Sequence, residues 1–140
     1  MVEVVVDAEN MSRGGMGSIT GPVFLRFEGG AYPEEGWSDF PVVILGWWLE
    51  GITALLNDGS QSFSGRFMDG PYEFTVRRLT SQTAEVSWRS CETSPRTVDI
   101  SLLLQSLAAA GASVAHTCRR NGWRSPDVDT LELAIARVAT

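Results

Sequence analysis

The sequence predicts one α+β domain, with an antiparallel sheet of about five or six strands, a central apolar helix and C-terminal helices packed on one face. Apolar and polar residues alternate in several short stretches, a very apolar helical stretch covers residues 39–57, and two helical stretches follow near the C-terminus. The strands come in runs, which disfavours a doubly wound parallel sheet. With 140 residues the chain is long enough to bury one core, and we expect a single domain over 1–140.

Five stretches show the alternation typical of half-buried strands. Their inward-facing residues are Val2, Val4 and Val6; Val23, Leu25 and Phe27; Phe63, Gly65 and Phe67; Tyr72, Phe74 and Val76; and Ala84, Val86 and Trp88. Asp69 and Gly70 predict a tight hairpin turn, and Val98 with Ile100 predicts a short last strand. Residues 9–19 are glycine-rich, but a strand follows them instead of a helix, so they predict a flexible loop and not a phosphate cradle.

The central helix is predicted over residues 39–57, with Ser38 or Asp39 as its N-cap and Pro41 in its first turn. Its small and polar residues form one narrow stripe: Gly46, Glu50, Thr53 and Asn57. The rest of its circumference is apolar, so we expect burial on most sides. Trp47 and Trp48 add further apolar surface, which predicts a homodimer unless the C-terminal helices cover the excess and leave a monomer.

The first C-terminal helix is predicted from Ser101 to about Asn121, with Gly122 as its C-cap, and the second begins at Ser125. One stripe of the first helix is apolar and is expected to be buried: Leu103, Leu107, Ala110, Val114 and Cys118. His116 falls on the opposite side, because residues two apart on a helix do not face each other. A Cys–His catalytic pair is therefore not predicted.

Composition excludes several functions. All eleven basic residues are arginine, which rules out a lysine Schiff base and a P-loop lysine. One histidine and two separated cysteines give neither an ordinary zinc site nor a disulfide framework, so no metal or cofactor is predicted. Reduced thiols, the absence of a basic N-terminal leader and an apolar stretch 39–57 too short to span a bilayer predict a cytoplasmic protein that does not enter membranes.

Charge is unevenly distributed along the chain. Residues 1–60 carry nine carboxylates against two arginines, whereas residues 61–140 carry eight against nine, for a net charge of −6. Such a chain repels nucleic acid and anionic membrane and attracts cationic partners, although acidity also serves solubility alone.

An acidic turn before the central helix is the candidate contact surface, because it pairs carboxylates with a tryptophan, a favoured interface anchor. The predicted partner-binding residues are Glu34, Glu35, Trp37 and Asp39. The alternative is that Trp37 packs onto the helix start as a hydrophobic staple. Two carboxylate pairs, Glu34 with Glu35 and Asp127 with Asp129, are better explained by solvation and by a helix dipole than by acid–base catalysis.

Three segments, residues 39–49, 66–72 and 122–127, resemble uncharacterised bacterial proteins of this length. The wider profile, small, acidic, cytosolic and α+β, is similar to immunity proteins of bacterial toxin–immunity systems. Immunity proteins as a class bind and block one cognate toxin, so the resemblance implies a protein toxin as the partner. The class shares no residue motif, and no binding residues carry over from it.

Three functional hypotheses follow. The first is an immunity-type inhibitor that binds a cognate, cationic toxin without catalysis. The second is a small-ligand or regulatory binding domain, with a pocket between the tryptophan-rich helix and the sheet. The third, an enzyme that uses carboxylates, ranks last, and the chain is predicted not to be an enzyme.

Overall fold

The computed structural model describes residues 1–138, so residues 139–140 of the predicted domain lie outside the described part of the chain. The α+β class is confirmed. The described strands are β1 (Val2–Val6), β2 (Ser12–Arg13), β3 (Ile19–Phe27), β4 (Gly30–Tyr32), β5 (Ser38–Asp39), β6 (Ser62–Arg66), β7 (Glu73–Arg78), β8 (Thr83–Trp88) and β9 (Arg96–Asp99). The helices are α1 (Pro41–Asn57), α2 (Ile100–Arg120) and α3 (Pro126–Val138), with a short 3-10 turn at Ala8–Asn10.

The strands form two antiparallel sheets, whereas the sequence predicted one. The first has five strands and is built around β3, which pairs with β1, β2, β4 and β5 along different parts of its length. The second is a four-stranded meander in the order β6-β7-β8-β9. Helix α1 lies between β5 and β6 in the chain, and thereby separates the two sets of strands. The predicted loop 9–19 holds the 3-10 turn and β2 in addition to its glycine-rich part.

Helix α1 is the apolar centre of the fold. Ile44 and Leu55 are fully buried, as expected for a helix covered on most sides. Trp48 is also buried, and its indole Nε1 donates to the Arg66 carbonyl of β6 at 3.1 Å. Helices α2 and α3 pack along α1 and cover most of its remaining surface. Trp47 is the exception, with 49 % of its surface exposed.

Helix α2 begins and ends through specific backbone contacts. Its N-cap is Asp99, whose carboxylate accepts from the Leu102 N–H at 3.0 Å. At the other end Gly122 has a φ of +70°, and the N–H groups of Gly122 and Trp123 donate back to the carbonyls of Arg119 and Cys118. This pair of bonds is a Schellman motif in which Asn121 is the C-cap and Gly122, the predicted C-cap, is the next residue with the left-handed conformation.

Among the described helices, only α2 has the length and hydropathy of a membrane-spanning helix. Half of its apolar stretch is buried against the rest of the protein, a property that it shares with core helices in general.

The outer face of the second sheet carries cross-strand ion pairs, as the mixed charges predicted. Arg77 of β7 lies opposite Glu85 of β8, with 3.3 Å between Nη2 and Oε1. Arg66 of β6 likewise lies opposite Glu73 of β7. Such exposed pairs contribute little to stability, and here they neutralise most of the arginines on that face.

Two glycines of α1 generate a stability prediction. A Cβ at Gly51 would lie 2.0 Å from the Phe63 ring, whereas a Cβ at Gly46 would find its nearest neighbour, the Leu131 Cα, at 3.9 Å. Gly51→Ala should therefore lower the free energy of unfolding by about 1–3 kcal/mol through overpacking. Gly46→Ala should raise it by about 0.5–1 kcal/mol, because alanine favours the helix interior. Urea unfolding of the two variants measures the difference. Equal effects would contradict the close approach of β6 to α1.

Candidate functional site

The acidic loop, residues 33–37, connects β4 to β5 and carries the predicted contact residues Glu34, Glu35 and Trp37. Its backbone is fixed at one end of the turn by the Trp37 N–H, which donates to the Glu34 carbonyl at 3.2 Å. The Trp37 carbonyl in turn accepts from the Val23 N–H of β3 at 2.8 Å. Both glutamates are exposed. The loop therefore presents its carboxylates to solvent on an ordered backbone.

The two glutamates differ in their electrostatic surroundings. Glu35 pairs with Arg26 of β3 at 2.7 Å, and Arg26 also lies 3.6 Å from Glu3. The hydrogen bonds that Arg26 donates to the Glu35 carboxylate raise the pKa of Arg26. Glu34 makes no salt bridge within residues 1–138. Glu34 is therefore the carboxylate of this loop whose charge is available to a partner.

Trp37 is half-buried, and its ring packs on the loop of residues 67–72 and not on the start of α1 as a staple would. Its ring packs edge-on against Tyr72 with 5.1 Å between centroids and an interplanar angle of 77°. Its indole Nε1 donates to Asp39 Oδ2 at 3.0 Å. The remaining surface of the ring is open to solvent. Trp37 is therefore packed at the edge of the core and does not project freely into solvent.

Asp39 is buried, with 3 % of its surface exposed, and its carboxylate accepts four N–H groups. Oδ1 accepts from the backbone N–H of Phe40 at 2.8 Å and of Met68 at 3.1 Å, and Oδ2 accepts from Trp37 Nε1 at 3.0 Å and from the Asp69 N–H at 3.1 Å. The prediction that Ser38 or Asp39 caps α1 is wrong, because the N-cap is Phe40 and no side chain caps it. Asp39 instead stabilises the chain just before the helix.

The Asp39 bonds join two loops that are distant in sequence. The Met68 loop, residues 67–72, is closed by the Phe67 N–H, which donates to the Tyr72 carbonyl at 3.1 Å. Two of its backbone N–H groups, those of Met68 and Asp69, donate to the Asp39 carboxylate, and Tyr72 packs on Trp37. The acidic loop, the Met68 loop and the start of α1 are thus held in one arrangement by a single buried carboxylate.

An open cavity of about 330 Å³ lies beside this junction and was not predicted from the sequence. Its lining comes from the glycine-rich turn before β3, the start of α1, the Met68 loop and the start of α3. We call it the methionine pocket; its main lining residues are Met16, Ile19, Phe40, Val43, Met68 and Asp127. It lies at the end of α1 and among loops, whereas the sequence placed a pocket between the helix and the sheet.

The other candidate groups fall where the helical periodicity predicted. His116 is exposed and Cys118 is fully buried on the opposite side of α2. Burial raises the pKa of the Cys118 thiol, so its thiolate form is disfavoured. Asp127 and Asp129 are exposed in the first turn of α3. Within residues 1–138 there is no group of three or more His, Cys, Asp or Glu side chains that could hold a metal ion.

Comparison of the chain with protein-family models, with curated proteins and with solved structures gave no match.

The two cysteines generate a reactivity prediction. Both are free thiols, Cys118 buried and Cys91 partly exposed. In the folded protein a thiol-reactive disulfide reagent should modify Cys91 and leave Cys118 unmodified, because Cys118 has neither solvent access nor a favoured thiolate. In denaturant both should react. A Cys91→Ser variant that still reacted quickly when folded would contradict the burial of Cys118.

The Asp39 bonds generate a second stability prediction. Asp39→Ala leaves four N–H groups without their acceptor, so the free energy of unfolding should fall by about 2–4 kcal/mol. Asp69→Ala is the matched control, because it removes an exposed carboxylate of the Met68 loop, keeps the backbone N–H that donates to Asp39, and should change stability by less than about 0.5 kcal/mol. Chemical denaturation measures both. A similar small effect for both variants would show that Asp39 does not stabilise the junction.

Proposed function

We propose that this protein is a non-catalytic inhibitor that binds one cationic protein partner through the acidic loop, in the manner of immunity proteins that neutralise a toxin. The observation that carries the proposal is the Asp39 carboxylate, which accepts from the Trp37 indole and from two N–H groups of the Met68 loop, and so fixes a partly exposed tryptophan at the end of an acidic loop whose Glu34 is exposed. Charge for long-range attraction and aromatic surface for close contact are the two components of a strong protein interface.

The charge distribution supports a cationic partner. Glu34 is exposed and unpaired within the described residues, and residues 1–60 carry most of the negative excess. Exposed carboxylates of this kind raise the association rate of a basic protein, and added salt screens the effect. By contrast, the Arg-rich face of the second sheet has its charges paired with Glu73 and Glu85. That face therefore offers less net charge to an acidic partner.

The ordered backbone also supports a docking role. A loop that is already in its binding conformation loses little conformational entropy on association, so more of the contact energy appears as affinity. Asp39 does not contact the partner in this proposal. Its role is to hold Trp37 and the Met68 loop in position, which makes it a positioning residue.

The immunity role is tested by the neighbouring genes. The protein encoded immediately upstream should arrest growth when it is expressed alone in a bacterial host, and growth should be restored when this protein is expressed with it. The purified pair should form a complex of equal stoichiometry. If the upstream protein is harmless, or if it remains toxic in the presence of this protein, the immunity role is wrong.

Small-ligand or regulatory binding is the second candidate function, and the methionine pocket favours it. Its volume of about 330 Å³ lies at the lower end of the range for small-molecule sites. A gene neighbourhood of metabolic enzymes in place of a toxin gene would support this candidate over the first.

Charge reversal tests whether the partner is attracted by the acidic loop or by the acidic surface in general. Glu34→Arg should slow association with the identified partner on the order of tenfold at low salt and flatten its salt dependence. Asp58→Arg is the matched control, because Asp58 is exposed at the far end of α1, about 25 Å away along the helix axis. Stopped-flow association across a salt series measures both variants. Equal slowing by both variants would indicate that net charge alone determines the association rate. A wild-type rate for Glu34→Arg would place the binding site elsewhere.

A further inference from the structure

We propose that the methionine pocket receives one long apolar side chain, a phenylalanine or leucine, from a basic segment of the partner that docks on the acidic loop. This inference rests on the proposed function and extends the contact surface from Glu34 and Trp37 across the Met68 loop. The two parts differ in chemistry: the acidic loop attracts positive charge, and the pocket binds apolar surface.

Continuity between the pocket and the acidic loop is direct. The Met68 and Phe40 N–H groups both donate to Asp39, and both residues line the pocket. Trp37 Nε1 donates to the same carboxylate. Trp37 and two residues of the pocket lining therefore share one buried acceptor, which joins the acidic loop to the pocket.

The apolar lining is unusually exposed. Among the described residues, Met16 is 97 % exposed and Met68 is 48 % exposed, and both line the pocket. Trp47, itself exposed, follows Val43 of the lining by one helical turn, so it continues the same face of α1. Clustered exposed apolar side chains mark interaction surfaces, and methionine adapts its shape to the side chain that it contacts.

Charge selects a basic segment as the occupant. Asp127 lines the pocket, Asp69 is exposed next to Met68 of the lining, and the acidic loop adds Glu34, which makes no salt bridge within residues 1–138. One cation, Arg13, lies beside Gly17 in the lining. A second copy of this chain is disfavoured, because a symmetric contact would bring the same carboxylates of both copies together.

Methionine methyl NMR provides the test. The chain has four methionines, and Met11 is buried while Met1 lies at the terminus, so the methyl signals of Met1 and Met11 are internal controls. The probe is the peptide acetyl-RRFRR-amide, and its matched control is acetyl-RRARR-amide, which has the same charge and no large apolar side chain. The phenylalanine peptide should shift the Met16 and Met68 methyl signals in a saturable manner and leave the other two unchanged. The alanine peptide should bind at least about tenfold more weakly.

A double variant tests whether the peptide binds in the methionine pocket. Met16→Gln with Met68→Gln changes two exposed side chains, so the fold should persist, which the unchanged Met11 signal reports. The affinity for the phenylalanine peptide, measured from the amide shifts of Val43 and Asp127, should then fall at least about fivefold. This result is independent of the toxin experiment, because the peptide reports on the pocket even where no toxin is found.

Three outcomes overturn the inference. Equal shifts with both peptides would mean that charge alone binds them. No saturable shift at about 5 mM peptide would mean that the pocket does not take an apolar side chain. Met68 shifts that grow with protein concentration in the absence of peptide would mean that a second copy of the chain occupies the pocket.

Discussion

The Asp39 carboxylate is the interaction on which the proposed docking surface depends. A charged group out of contact with water is costly unless hydrogen bonds replace its hydration, and here four N–H donors do so. The donors belong to the acidic loop, the start of α1 and the Met68 loop, and the most distant of them, Asp69, is 30 residues from Asp39 in sequence. The carboxylate accepts from Trp37 and from Met68 of the pocket lining, so it joins the acidic loop to the methionine pocket, and the proposed docking surface depends on those bonds.

The rest of the fold determines where such a surface can lie. Helices α2 and α3 cover most of α1, and β6 approaches it so closely that Gly51 has no room for a Cβ. The outer face of the second sheet is covered by paired charges. What remains open is the N-terminal end of α1, where Val43 and Trp47 are continuous with the loops around Asp39. The exposed side chains Met16, Trp47 and Met68 thus lie at or next to this end of α1, whereas Leu102 on α2 and Leu133 on α3 are exposed singly.

The helices and the longer strands of this structure could be predicted from the sequence, whereas the contacts between loops that are distant in sequence could not. Apolar periodicity located α1, α2 and α3 and the longer strands, because each buries a repeated face. The split into two sheets was missed, since β2, β4 and β5 are too short to show alternation. The burial of Asp39 was also missed, because its four donors come from residues that only the tertiary fold brings together. The same is true of the methionine pocket, whose lining comes from four separate segments. Glu34 and Trp37 were singled out because they lie three positions apart in sequence, and their contact with a partner stays a prediction.

Hydrogen exchange measured by NMR tests most directly the claim that Asp39 joins these segments. In the wild-type protein the Trp37 indole N–H and the Met68 and Asp69 amides should exchange slowly and at similar rates, because one set of bonds protects all three. In Asp39→Asn, which keeps the shape and removes the charge, all three should exchange much faster while the buried amide of Leu49 in α1 stays protected. If the three groups kept their protection in the variant, or lost it independently of one another, Asp39 would not be the common constraint.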